Sequence, residues 1–191
     1  MSDAELSLPD YLAPDLDLVF VGINPGLYSA RVGHYFARRT NRFWPAFSRS
    51  RLSEGIRSKL RKTELAPEDD SALLSFGIGF TDVVKRATGN AAQLQSEEYR
   101  LGAPELLNKL RRFQPAVACF HGVTGYGAFA RYALGDEKRR WELGPQDRSV
   151  GQTLLFVVPS PSPANAHFTL GDQIEWYDSL SAYLTGLAGR I

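Results

Sequence analysis

Hydrophobic residues in this chain fall into short unbroken runs separated by stretches of helical spacing. The first run, Leu18-Val19-Phe20-Val21-Gly22-Ile23, has the length and β-branched content of a buried parallel strand, and Asn24-Pro25-Gly26 stops it abruptly. Runs at residues 116–121 and 154–158 predict two more buried strands, the second leading into Pro159-Ser160-Pro161-Ser162-Pro163. Residues 73–84, apolar and rich in glycine, read as a short strand or turn ending at Thr81-Asp82.

Between these runs the apolar period lengthens. A helix is expected from Asn41, an acceptable N-cap, with Phe43, Trp44 and Phe47 at helical spacing. Residues 57–70 are charged and predict a helix plus exposed loop. A further helix is expected over 96–112 with Ser96 as N-cap, weakened in its middle by Gly102 and Pro104, and a short one over 124–132. The last, over 174–187, puts Ile174, Tyr177, Leu180, Leu184 and Leu187 on one face behind a capping box of Asp172 and Glu175. Strands alternating with helices imply an α/β fold, a three-layer α/β/α sandwich with a mostly parallel central sheet. No repeat or linker divides residues 1–191, so one domain is expected, with residues 1–13 a flexible N-terminal segment.

Composition narrows the picture modestly. The chain has 191 residues, 43% of them hydrophobic, enough to bury one substantial core. No apolar stretch approaches the roughly 20 residues that cross a bilayer, and the acidic start is unlike a signal peptide, so a cytoplasmic protein is expected. The lone Cys119 lies in an apolar run and reads as a reduced core residue; one cysteine excludes a disulfide framework and a four-cysteine metal site. Net charge is +1, but Arg31, Arg38, Arg39, Arg42, Arg49, Arg51, Arg57, Lys59, Arg61 and Lys62 face only Glu54 in their stretch. That local patch suits either phosphates or an ordinary solvated helix face.

Asn24 is the first candidate for chemistry, because ligands of open α/β sheets bind at the carboxyl ends of the strands. Its other reading is an Asx-type turn. Three segments carry a resemblance: Gly22-Ile23-Asn24-Pro25-Gly26-Leu27, then Asn41-Arg42-Phe43-Trp44, then residues 159–168, Pro-Ser-Pro-Ser-Pro-Ala-Asn-Ala-His-Phe. With Gly77-Ile78-Gly79-Phe80-Thr81-Asp82 and Gln114-Pro115-Ala116, they make the chain similar to the mismatch-specific uracil and thymine DNA glycosylases from about residue 14 to about 185. The Gly-Gln-Asp-Pro-type turn and the cysteines of other uracil-DNA glycosylase classes are absent.

The resemblance implies a monofunctional enzyme of base excision repair. It would flip a mispaired uracil, or thymine or another deaminated or alkylated base, out of double-stranded DNA and hydrolyse its N-glycosidic bond, as a monomer without metal or organic cofactor. It assigns Asn24 to orienting the attacking water and Phe36 to stacking on the flipped base, with Gly22, Ile23 and Tyr35 in the same pocket. Phe36 also has the ordinary reading of core packing. His34 could touch phosphate or substrate, although a loop histidine is more often structural.

Two positions depart from the family. Asp82 stands where relatives carry asparagine or lysine; a carboxylate there could act on the water, the sugar cation or the base, or simply cap a helix. Ala164 occupies the tip of the loop that wedges into the duplex, where relatives carry leucine or arginine. Asn165 or His167 are the candidates to replace it, Pro163 stiffens the loop, and Ser160 and Ser162 are candidate phosphate donors. The competing reading is a non-catalytic α/β nucleotide- or lesion-binding module, disfavoured by the absence of a P-loop or dinucleotide fingerprint.

Overall fold

The computed structural model describes residues 6–188. Strand β1 (Leu18–Gly22) is followed by three short helices, α1 (Leu27–Val32), α2 (Phe43–Arg49) and α3 (Glu54–Leu60), and by β2 (Ile78–Asp82). Then come α4 (Ser96–Phe113), β3 (Val117–His121), α5 (Val123–Leu134), β4 (Gly144–Val150), β5 (Thr153–Val158) and α6 (Leu170–Ala188). The five strands form one sheet in the order β2-β1-β3-β5-β4, parallel except for the antiparallel edge strand β4. Every residue of β1, β2 and β3 is buried, which is why these strands read as continuous apolar runs.

The alternation of side chains across the strands builds a core on each face. Leu18, Phe20, Phe80, Val117, Cys119 and Phe156 pack against α2, α3 and α6 through Phe43, Trp44, Phe47, Ile56, Tyr177 and Leu180. Val19, Val21, Ala118, Phe120 and Leu155 pack on the other face against Leu106 and Leu110 of α4 and Phe129 of α5. The chain is thus an α/β/α sandwich. β1 is flanked by β2 on one side and β3 on the other, so the connections leaving β1 and β3 diverge. The crevice between their carboxyl ends is the place where such sheets bind ligands.

Several local expectations need correction. β4 was not expected, because Gly-Pro-Gln-Asp-Arg-Ser-Val is a polar edge strand with an irregular register between Pro145 and Ser149. Helix α2 begins at Phe43 rather than Asn41, whose Oδ1 instead accepts from the Phe43 amide at 2.9 Å. The cap of α4 is Gln95, whose N–H donates to Glu98 at 2.8 Å. Gly102 sits where α4 crosses the Val83 carbonyl, too close for any side chain. The capping box of α6 lies one turn earlier than expected: Thr169 N–H donates to Asp172, and the Asp172 N–H returns to Thr169 Oγ1 at 3.2 Å.

The N-terminal segment is not loose from residue 6 onward. Leu8 is buried in the core, Tyr11 pairs with Phe80 in both directions of backbone hydrogen bonding, and the Asp10 carboxylate accepts from Lys85 at 2.9 Å. Residues 1–5 lie outside the described residues. No described helix is long and apolar enough to cross a membrane.

Candidate active site

The turn after β1 is stitched to the segment after β2. Leu27 N–H donates to the Thr88 carbonyl and Thr88 N–H to the Pro25 carbonyl, both at 3.0 Å. Within this frame the Asn24 amide nitrogen donates to the Arg86 carbonyl at 2.8 Å and to Thr88 Oγ1 at 2.7 Å. A carbonyl can only accept, so the atom facing it is the nitrogen and the orientation of the carboxamide is fixed. Among the described residues no donor reaches Oδ1. Asn24 is therefore more than a turn residue: it presents a rigidly held acceptor at the carboxyl edge of the sheet.

Phe36 is held against its own backbone preference. Its φ of 53° lies in the left-handed region, a conformation that costs a bulky residue on the order of 1–3 kcal/mol. The strain is fixed from both sides. Tyr35 N–H donates to the buried Asp70 carboxylate at 2.9 Å, and Ala37 N–H donates to Ser29 Oγ at 3.0 Å. The half-buried Phe36 ring stacks on Phe43 with centroids 4.4 Å apart, and Phe43 stacks on Phe47 at 5.5 Å, each pair 18° from parallel. The three rings form a column, and Phe36 is its outermost member.

Tyr35 borders this column, its ring centroid 6.1 Å from that of Phe36, and Gly22 and Asp82 end β1 and β2 two residues beyond Phe20 and Phe80. Tyr35 is buried, donates its hydroxyl to the Pro9 carbonyl at 3.0 Å and stacks on Phe80 at 5.2 Å. Asp82 is paired in register with Gly22, and its carboxylate occupies the space a side chain at position 22 would need. Oδ2 of Asp82 is buried with no hydrogen-bond partner among the described residues, and Lys85 Nζ stands 3.7 Å from it. Burial raises the Asp82 pKa to about 6, against the pull of Lys85. The expected alternative, a helix cap, does not describe it, since no helix begins behind Asp82.

Other expected site residues divide. The Ile23 side chain packs on the opposite core, against Gly125 of α5, and its carbonyl accepts from Val84 N–H at 2.9 Å, so only its backbone borders the pocket. His34 pairs with Asp70 at 3.2 Å and helps shape the turn before Phe36, which favours its structural reading. In the loop after β5, Pro163, Ala164 and His167 are exposed. Asn165 is held by its amide nitrogen, which donates to the Ser160 carbonyl at 3.0 Å. The hydroxyls of Ser160 and Ser162 accept from loop N–H groups at 3.4 and 3.3 Å, which leaves their protons available. Arg42 fastens this loop to the site, donating from Nη2 to the carbonyls of Ser162 at 2.8 Å and Asn165 at 2.7 Å.

Sequence reasoning missed three participants: Arg42 as the anchor of the loop, Asp70 as the clamp on Tyr35, and His121 beside Phe36. Each acts through a partner more than 30 positions away, and no local spacing announces such pairs. No group of three or more possible metal ligands occurs among the described residues.

The assembly places one fixed amide acceptor, one buried carboxylate and an aromatic platform at the carboxyl edge of the sheet, flanked by a stiff proline-rich loop. The sequence model of the uracil DNA glycosylase superfamily matches residues 9–184, which include every residue of that assembly. The chain belongs to the uracil DNA glycosylase superfamily, whose chemistry is hydrolysis of the N-glycosidic bond in DNA.

Proposed function

We propose that this protein is a mismatch-specific member of the superfamily, a monofunctional glycosylase that extrudes a mispaired uracil from duplex DNA and releases it by hydrolysis. The observation that carries the reading is Asn24, its nitrogen tied to Arg86 and Thr88 and its oxygen left to orient a water. Extruding a base costs a few kcal/mol, least for a mispair, and the outer face of Phe36 provides a stacking platform worth about 1–3 kcal/mol per base. Arg38 and Arg39, exposed beside that platform, meet the phosphates.

In the reaction the bond from C1′ to the base nitrogen breaks, and its electrons leave with the base. The water held by Asn24 bonds to C1′ and loses its proton. An amide is a poor base, so Asn24 contributes position. Ionised Asp82 contributes negative charge toward the cation-like sugar and an acceptor for the proton. Cleavage therefore rises with pH as Asp82 ionises near 6. The exposed Ala164 fills the vacated stack poorly, so preference for a mispair comes from its lower cost of extrusion rather than from a wedge contact to the opposite base.

End-labelled duplexes carrying G:U, A:U or G:T pairs, and single-stranded uracil DNA, test this when base release is followed by alkaline cleavage. Release at G:U is expected, and Asn24→Ala should abolish it while leaving duplex binding within about threefold. Undiminished single-turnover release by Asn24→Ala would remove that residue from the mechanism. Binding of free nucleotide with no release from any duplex would favour the non-catalytic module.

A further inference from the structure

Buried polar atoms without a partner are rare in folded proteins, and one of them stands beside the aromatic column. His121 ends β3 with its ring buried, stacked on Phe20 at 5.2 Å. Its Nε2 lies 2.9 Å from the Tyr177 hydroxyl, while Nδ1 has no partner among the described residues. Burial lowers its pKa to about 3 and keeps the imidazole neutral, with one N–H and one lone pair.

Which nitrogen carries the proton follows from the partners. With the proton on Nε2, the Nδ1 lone pair is left over and the buried Tyr177 phenol proton turns to Gln173, the other side chain at that hydroxyl. With Tyr177 donating to Nε2, the group left over at the ring is an Nδ1–H. A carbonyl oxygen reaching Nδ1 can pair only with the second, so an acceptor there selects it.

The place of that donor matters as much as its chemistry. His121 lies at the carboxyl end of β3, in the crevice where the connections from β1 and β3 diverge. Its ring is 5.1 Å from Phe36 at 69° and 5.5 Å from Phe43 at 78°, so it stands upright along the side of the column. A base stacked as the next ring would bring its edge to the same side.

We propose that His121 Nδ1–H donates to an exocyclic carbonyl oxygen of the extruded base, so that His121 reads deamination itself. Deamination replaces an amino group, which donates, with a carbonyl, which accepts: cytosine becomes uracil, and adenine becomes hypoxanthine. Against the undamaged base, Nδ1–H would face another N–H and stay unpaired, the situation in which a polar site rejects an analogue most strongly. This specificity role rests on the glycosylase reading and adds to it a residue that neither moves the water nor holds the sugar.

The test compares wild type, His121→Phe and Tyr177→Phe on guanine-paired uracil and 4-thiouracil, whose sulfur is a poor acceptor. Single-turnover rates are read as the ratio between the two bases, and intrinsic leaving ability cancels when ratios are compared across variants. Wild type is expected to favour uracil by about tenfold beyond His121→Phe, and Tyr177→Phe to keep the preference, since a bound carbonyl still draws the proton to Nδ1 when no partner remains at Nε2. An unchanged ratio in His121→Phe overturns the proposal. Nitrogen-15 spectra of wild type titrated with free uracil are independent of turnover and of how the variants fold. With uracil bound the proton is expected on Nδ1, with that resonance moving as uracil binds. An Nε2–H tautomer in the uracil-bound protein, or bound uracil without a shift at Nδ1, also overturns it. A shift at Nδ1 with no base release from any duplex would instead retain base reading and reject the glycosylase.

Discussion

Asp82 shows how a single side chain ties stability against chemistry. Its pKa is about 6 in the folded protein and near 3.8 when exposed, so between these values the folded state holds the extra proton. Stability is therefore greatest below pH 4 as far as this group is concerned, and falls as pH rises through that window to 6. A shift of this size corresponds to about 3 kcal/mol at neutral pH. Asp82→Asn is expected to raise the melting temperature at pH 7.5 and to have a smaller effect at pH 4. It should also slow base release by about tenfold or more and flatten the rise in rate near pH 6. Calorimetry at the two pH values and a pH–rate profile check both halves. Loss of stability at pH 7.5 would mean that Asp82 serves the fold rather than the reaction. Gly22 belongs to the same argument, since any side chain there would displace the carboxylate.

Among the elements, the loop after β5 depends on Arg42 as much as on its own prolines. The guanidinium spans two loop carbonyls, and the Arg42 N–H donates to a third, that of Pro161, at 3.0 Å. Hydrogen bonds from a charged donor are worth about 1.5–3 kcal/mol each, so Arg42→Ala should loosen the loop proposed as the wedge. The expected result is a fall of about tenfold in the flipped fraction, read from 2-aminopurine placed beside the uracil, with little change in far-ultraviolet circular dichroism. An undiminished 2-aminopurine signal would leave the wedge independent of Arg42. Both side-chain bonds leave from the single nitrogen Nη2, so the three donors of an ammonium can replace them, and Arg42→Lys should restore part of the flipped fraction. β1, β3 and β5 were legible in the sequence because burial on both faces leaves unbroken apolar runs. β4 was not, since an edge strand needs no such run, and its polar residues are stabilised by pairing with β5. In the site, Asn24, Phe36 and Asp82 were legible because each belongs to a local motif. Arg42 and His121 acquire meaning only once the loop at 160–168 and α6 are folded against them.

At the scale of the whole molecule, the N-terminal segment closes over the sheet and sets the charge around the Asp82 carboxylate. Asp10 accepts from Lys85 at 2.9 Å, from Lys109 at 2.7 Å and from Thr81 Oγ1 at 2.7 Å, while Lys85 also stands 3.7 Å from Asp82. Asp82 thus faces Lys85 from its own segment, Lys109 from α4, Tyr35 from the turn before Phe36 and Asp10 from the N-terminus. Asp10 raises the Asp82 pKa and also draws Lys85 away from it. Asp10→Asn removes a negative neighbour and frees Lys85, and both effects favour ionised Asp82. The midpoint of the pH–rate profile should then move below the wild-type value near 6, so that the variant outpaces wild type at pH 5. Leu8→Ala separates this electrostatic role from simple anchoring. It leaves a cavity costing about 2–5 kcal/mol, so the melting temperature should fall, but no charge changes and the midpoint should stay. If both variants shift the midpoint equally, the segment acts by covering the site rather than by its charge. If neither does, Asp82 ionises independently of the N-terminus and the pH dependence of base release is set by Lys85 and burial alone.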